Sequence, residues 1–214
     1  MTKRVVLLSV LTAGLVLPGC NIAKFITYVF APSSRTRTVK AECPELAGSR
    51  VAVLVFTDVG TDFEYPDARA RLSERIANEL MEKVDGIEVV PPREVLEYQR
   101  EHRYWDAEDK TELGKRFDAE YVLFVSMIEY SLQEPGSTTL CRGVISGEAS
   151  VYESSAPESA SRVWSSDKIS VAHPENAVVG MLSEEVRRIR NEAERQFVGK
   201  LAKKFYKHEQ EIAP

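Results

Sequence analysis

The chain has 214 residues, 43% of them hydrophobic and 29% charged, which is globular composition and excludes the low-hydrophobicity signature of disorder. A chain of this length buries roughly 70% of its unfolded surface in a core, so it needs no disulfide or metal framework, and three cysteines and three histidines would supply one poorly. Its 28 Lys and Arg stand against 33 Asp and Glu, a charge of −5, without the basic excess that a nucleic-acid partner demands.

Lys3 and Arg4 precede an uncharged apolar run from Val5 to Leu17, too short to span a bilayer and of the size of a secretory signal core. Leu17-Pro18-Gly19-Cys20 resembles the bacterial lipobox, with Pro18 in a place more often held by Ala or Ser. That resemblance implies cleavage after residue 19 and a diacylglycerol on the Cys20 thiol. Two or three acyl chains hold a protein to a bilayer where one holds it only marginally. The competing reading is a buried or disulfide-bonded Cys20 in a retained helix. Asn21 is not the aspartate that retains some lipoproteins at the inner membrane, so the expected address is the periplasmic face of the envelope, with the outer membrane favoured. Loss of residues 1–19 removes Lys3 and Arg4, leaving 26 basic against 33 acidic residues, −7. Membrane contact is then expected through the lipid anchor and not through charge.

Residues 20–47 read as a lipidated tether. Phe25, Tyr28 and Phe30 in it suit either the lipid surface or the domain, and Ala31-Pro32-Ser33-Ser34 is linker chemistry. An oxidising compartment permits a Cys43–Cys141 bridge, although nothing in the sequence fixes their separation. A single domain is expected over 48–208, with 209–214 as a tail.

Val51 to Phe56 is an unbroken apolar run and reads as a strand buried on both faces. A loop from Thr57 to Pro66 leads to a helix whose stripe is Leu72, Ile76, Leu80 and Val84. Ile87 to Val90 forms a short strand, and Pro92 opens a helix to about Arg103. A third helix is predicted over Ala107 to Phe117, then a central strand over Tyr121 to Ile128. Strands at about Leu140 to Tyr152 and Arg162 to Val171 alternate polar and apolar residues, as an antiparallel meander with one wet face does. A long helix from about Ser183 closes the chain, striped by Val186, Ile189, Ala193, Phe197, Leu201 and Phe205. The expected fold is a mixed α/β sheet with a parallel first half, an antiparallel second half and helices packed on it.

Several segments carry a likeness. They are the strand Val51 to Phe56, the helix with Leu72, Ile76 and Leu80, the turn Val89-Val90-Pro91-Pro92-Arg93, the stretch Leu113-Gly114-Lys115-Arg116-Phe117-Asp118-Ala119-Glu120-Tyr121-Val122, and Val151-Tyr152 running to Val163-Trp164. Over roughly 48–172 the chain resembles the periplasmic α/β domains of the TolB amino-terminal, CsgG and LpoB kind. The resemblance implies a non-enzymatic module that contacts another envelope protein or copies of itself. A curli-type pore is not expected, because barrel hairpins need strands of about 9 to 11 residues each and little sequence is left for them.

Asp58, Asp62, Glu64 and Asp67 place four carboxylates after the first strand, the end where open α/β sheets bind ligands. They suit a hard cation or a small ligand, without EF-hand spacing, or a solvated loop with Asp67 at a helix start. The scattered histidines form no zinc pair, Gly143-Val144-Ile145-Ser146-Gly147 places its serine wrongly for a nucleophile elbow, and no phosphate loop occurs. Its glycines suit a bulge or a close backbone approach. No cofactor is implied and enzymatic activity is not expected. His102, Arg103, Tyr104 and Trp105 form the candidate partner surface, since aromatics and arginine are enriched in interface hot spots, while Trp105 equally suits a core plug.

Overall fold

A computed structural model describes residues 35–180 and 182–212; the lipobox-like segment and Cys20 lie outside them. The chain divides into two units, Val39–His208 and a smaller one to which the described residues 35–38 and 209–212 belong. Strands β1 (Arg35–Val39) and β8 (His208–Ile212) pair in a two-stranded sheet. The larger unit therefore starts nine residues before the expected domain edge. Cys43 and Leu46, placed by the sequence in the tether, are fully buried, and the backbone N–H groups of Glu42 and Cys43 donate to the Lys204 carbonyl at 2.7 and 3.2 Å.

The larger unit is a mixed α/β structure built on β2 (Arg50–Phe56), which has parallel neighbours on both sides: β3 (Glu88–Val89) and β4 (Tyr121–Gln133). From β4 the sheet turns antiparallel through β5 (Leu140–Glu153), whose outer side pairs with β6 (Arg162–Ser165) and β7 (Ile169–Val179). The expected parallel half followed by an antiparallel half is thus present. The single strand expected over Arg162 to Val171 is two, separated at Ser166-Asp167-Lys168, and β7 runs eight residues further than expected.

Helices α1 (Val59–Glu64), α2 (Ala68–Lys83), α3 (Pro92–Glu101), α4 (Lys110–Arg116) and α5 (Ser183–Ala202) complete the unit. One core joins Val51, Val53, Val55, Leu123 and Val125 to the α2 stripe and to Phe197, Leu201 and Phe205. The other joins Ala52, Leu54 and Val122 to Val95, Tyr98, Trp105, Leu113 and Phe117. Alternate residues of β2 thus feed opposite cores, which is why this strand is apolar throughout.

Glu194 is fully buried in α5. Its Oε1 accepts from Tyr130 Oη at 2.6 Å and from Arg71 Nε at 3.0 Å, and its Oε2 lies 2.9 Å from Arg75 Nε. One carboxylate thereby ties α5 to α2 and β4. Burial, and then Glu194, push the Tyr130 phenol above its ordinary value, which keeps it a donor.

Two features follow from close backbone approach. A Cβ on Gly143 would stand 2.7 Å from Ala193 Cβ of α5, and one on Gly147 would stand 2.7 Å from the Ser126 carbonyl. Register shifts fall beside both glycines, so the glycine-flanked segment is a packing and bulge device, as the sequence suggests. Second, β3 ends after two residues. The carbonyls of Ser49 and Val51 accept from Glu88 and Val90, whereas that of Val55 accepts from the buried Gln99 side chain at 3.4 Å.

Cys43 and Cys141 are free thiols, not a disulfide. Cys43 lies near Tyr121, at the start of β4, and burial pushes its thiol up to about 12. Cys141 pairs across from Gln133, at the far end of β4, about 40 Å away at ~3.3 Å per strand residue and well beyond the ~7 Å reach of a disulfide.

Candidate functional site

The loops beyond the carboxyl end of β2 and the segment after α3 meet at one side chain, Arg69. Its Nε donates to Thr57 Oγ1 at 3.0 Å, its terminal nitrogen bonds Asp62, and its guanidinium lies 6.0 Å from the Trp105 ring centre. Thr57 in turn donates to Asp62. Where a ligand would be expected at the point of strand-order reversal, the polar groups are therefore bonded to one another.

The four carboxylates separate into distinct tasks. Asp58 caps α1: its Oδ1 accepts from the N–H groups of Gly60 and Thr61 at 2.7 and 3.0 Å, and its Oδ2 from the Thr61 hydroxyl at 2.8 Å. Asp62 serves Thr57 and Arg69, and Glu64 accepts from the Tyr65 hydroxyl at 3.0 Å. Asp67 occupies the cap position of α2 without a side-chain capping bond, 3.8 Å from Arg71. Among the described residues no group of three His, Cys, Asp or Glu side chains is placed to hold a metal ion.

Hydrogen bonds from the Thr61 hydroxyl and N–H hold the Asp58 carboxyl below its usual range, and Thr111 does the same for Asp109. Arg195 first, then Gln196, take Glu192 down to about 2. Because these folded-state values are depressed, the stabilisation is present above the unfolded carboxylate range near pH ~4 and is lost as pH falls through the folded values. Near-ultraviolet circular dichroism should show stability falling between about pH 5 and pH 2, and Asp58→Ala should start about 1 kcal/mol lower at neutral pH with a shallower acid slope.

The candidate partner stretch is split. Trp105 is 3% exposed and packs against Phe56 and Phe124, with ring centres 6.2 and 6.1 Å away, so it is the core plug and not an interface anchor. His102 stacks on Tyr98 at 3.9 Å, and its Nδ1 lies 3.0 Å from the Tyr98 carbonyl. Arg103 and Tyr104 remain outside, Tyr104 at 72% exposure with the Arg103 guanidinium 5.8 Å from its ring. Arg116 also lies 4.5 Å from the Tyr98 ring, and the Tyr98 hydroxyl donates to Glu108 at 2.7 Å. Burial, then Glu108, push that phenol up. A groove of about 740 Å³ runs between α3 and α4, floored by Tyr98 and Phe117 and rimmed by Glu94, Glu97, Glu101 and Glu112.

Helix α1 and its two outward residues, Val59 and Phe63, at 86% and 90% exposure, fall in the stretch read from the sequence as a loop. The only available signal was Asp58 two and three residues before Gly60 and Thr61, a capping arrangement.

No family model matches the chain, and no curated protein matches it. Solved structures do. The PelC dodecamer from Paraburkholderia phytofirmans is 16% identical, covering 80% of this chain and 98% of that one, with a TM-score of 0.45. Lipoprotein GNA1162 from Neisseria meningitidis is 17% identical, with coverage of 71% and 99% and a TM-score of 0.40. Protein XCC0632 from Xanthomonas campestris is 13% identical, with coverage of 74% and 85% and a TM-score of 0.46. No helix among the described residues is long and apolar enough to cross a membrane.

Proposed function

We propose that this chain is a lipid-anchored protein of the bacterial envelope, held through Cys20 on the periplasmic face, with the outer membrane favoured, and that it works as a non-enzymatic adaptor or assembly component. The observation that carries this reading is the lipobox-like Leu17-Pro18-Gly19-Cys20 behind a short uncharged apolar run, and the polar network at the carboxyl end of β2 turns attention from that end of the sheet to the outer surface. Thr57, Asp58, Asp62 and Arg69 are bonded to each other or to the local backbone, leaving recognition to the surface around Arg103, Tyr104 and the α3–α4 groove. The resemblance to TolB, CsgG and LpoB domains, all envelope modules, supports it. The partner is another envelope protein or a second copy.

Two measurements test the proposal. Cys20→Ser should abolish acyl mass and sedimentation with membranes; unchanged sedimentation would overturn the anchor. Crosslinking in membranes should recover a protein partner or an oligomer, with Tyr104→Ala and Arg103→Ala weakening the capture at least several-fold. Recovery of neither would overturn the adaptor role. Calcium titration of the Asp58 to Asp67 segment should be silent.

A further inference from the structure

The groove between α3 and α4 carries an excess of acid that nothing in the fold offsets. Glu94, Glu97 and Glu101 are exposed and recur at spacings of three and four residues, so they share one side of α3, the side that rims the groove. Among the described residues none of the three is paired with a base. Like charges at this spacing destabilise a helix, and Glu101, at the carboxyl end of α3, also opposes the helix dipole. Glu108 and Glu112 add to the acid, and of the two bases beside them Lys115 is held by Glu112 at 2.7 Å.

A second observation is independent of this charge. The groove already seats a guanidinium, that of Arg116, 4.5 Å from the centre of the Tyr98 ring. The Tyr98 hydroxyl donates to Glu108 at 2.7 Å, which leaves the ring richer in electrons and its face a better seat for a cation. Arg116 is exposed and forms no ion pair among the described residues, so it leaves the ring without breaking one.

We propose that the α3–α4 groove binds an extended, arginine-bearing polypeptide segment, one guanidinium replacing Arg116 on Tyr98 and a second base lying among Glu94, Glu97 and Glu101. The proposal rests on the adaptor reading above and names the chemistry of the partner. Glu94 and Glu101 stand about 10 Å apart along the helix, the length of three residues of extended chain, so bases three positions apart match the groove. Arginine is preferred to lysine because its planar head stacks on an aromatic face and takes carboxylates in pairs.

The test titrates the full membrane-extracted protein, in neutral detergent at low salt, with a glycine-capped peptide bearing arginine at every third position between alanines, read by calorimetry. The arginine peptide should bind, its lysine counterpart more weakly and its citrulline counterpart not at all, and binding should weaken as salt rises. Glu94→Gln, Glu97→Gln and Glu101→Gln combined should weaken binding about ten-fold and melt no lower than the parent, since repulsion is removed. Glu74→Gln, Glu79→Gln and Glu82→Gln on α2 remove the same charge elsewhere and should weaken it less than about two-fold. Arg116→Ala should tighten binding several-fold by emptying the ring, and Lys115→Ala, an equal charge lost without emptying it, should tighten it less. Equal losses from the two triple variants, an Arg116→Ala effect no larger than that of Lys115→Ala, a lysine peptide bound as tightly, or no binding would each overturn the proposal. If crosslinking in membranes still recovers a partner in any of those cases, only the groove assignment falls; if the peptide binds as stated and crosslinking recovers nothing, only the adaptor reading falls.

Discussion

Glu194→Ala is expected to cost about 3 to 5 kcal/mol of folding stability, the range for removing one member of a buried ionic set. The substitution leaves the buried Tyr130 hydroxyl and the partly exposed Arg71 and Arg75 guanidiniums without the carboxylate on which all three converge. Glu194→Gln keeps the shape but loses the charge, and Tyr130→Phe removes a single donor worth about 1 kcal/mol. Both should therefore be milder. Urea unfolding with a common slope would read the three losses. A loss below 1 kcal/mol for Glu194→Ala would mean that the carboxylate is hydrated and that the α2–α5 contact is held by apolar packing alone.

Trp105→Ala should cost about 3 to 5 kcal/mol, as for large aromatic side chains removed from cores, because the indole fills the space between Phe56, Phe124 and Arg69. Tyr104→Ala, one residue away and exposed, should stay within about 0.5 kcal/mol. Thermal unfolding of the two variants separates a core residue from a surface residue at adjacent positions. Equal effects would remove the assignment of Trp105 to the core.

These two variants also mark where the sequence was legible. The first strand was readable as an unbroken apolar run and the α2 and α5 stripes as periodic apolar sets, all of them local signals. Trp105 was ambiguous for the opposite reason. Its burial depends on Phe56 and Phe124, which lie about twenty to fifty positions away in sequence, and on Arg69. Glu194 was invisible, since a glutamate one place from the α5 stripe reads as a solvated flank until Arg71, Arg75 and Tyr130 are brought to it by the fold. Helix α1 escaped because its apolar residues face outward, so it has no core-facing stripe to read. The carboxylates of its loop attracted a ligand reading that the geometry resolves into capping and pairing. The break between β6 and β7 falls on Ser165-Ser166-Asp167-Lys168, four consecutive polar residues that interrupt the alternation and that the single-strand reading passed over.

The short β3 has a further consequence. A sheet flank whose neighbour stops after two residues offers backbone acceptors to any extended chain that drifts past, the usual seed of fibrous aggregation. Gln99 occupies the acceptor on Val55, and on the opposite flank Lys200 occupies that of Ser170 at 2.8 Å. Side chains at both margins thus occupy acceptors that an added strand would use, and Gln99→Ala should raise fibril formation at elevated protein concentration, read by thioflavin fluorescence.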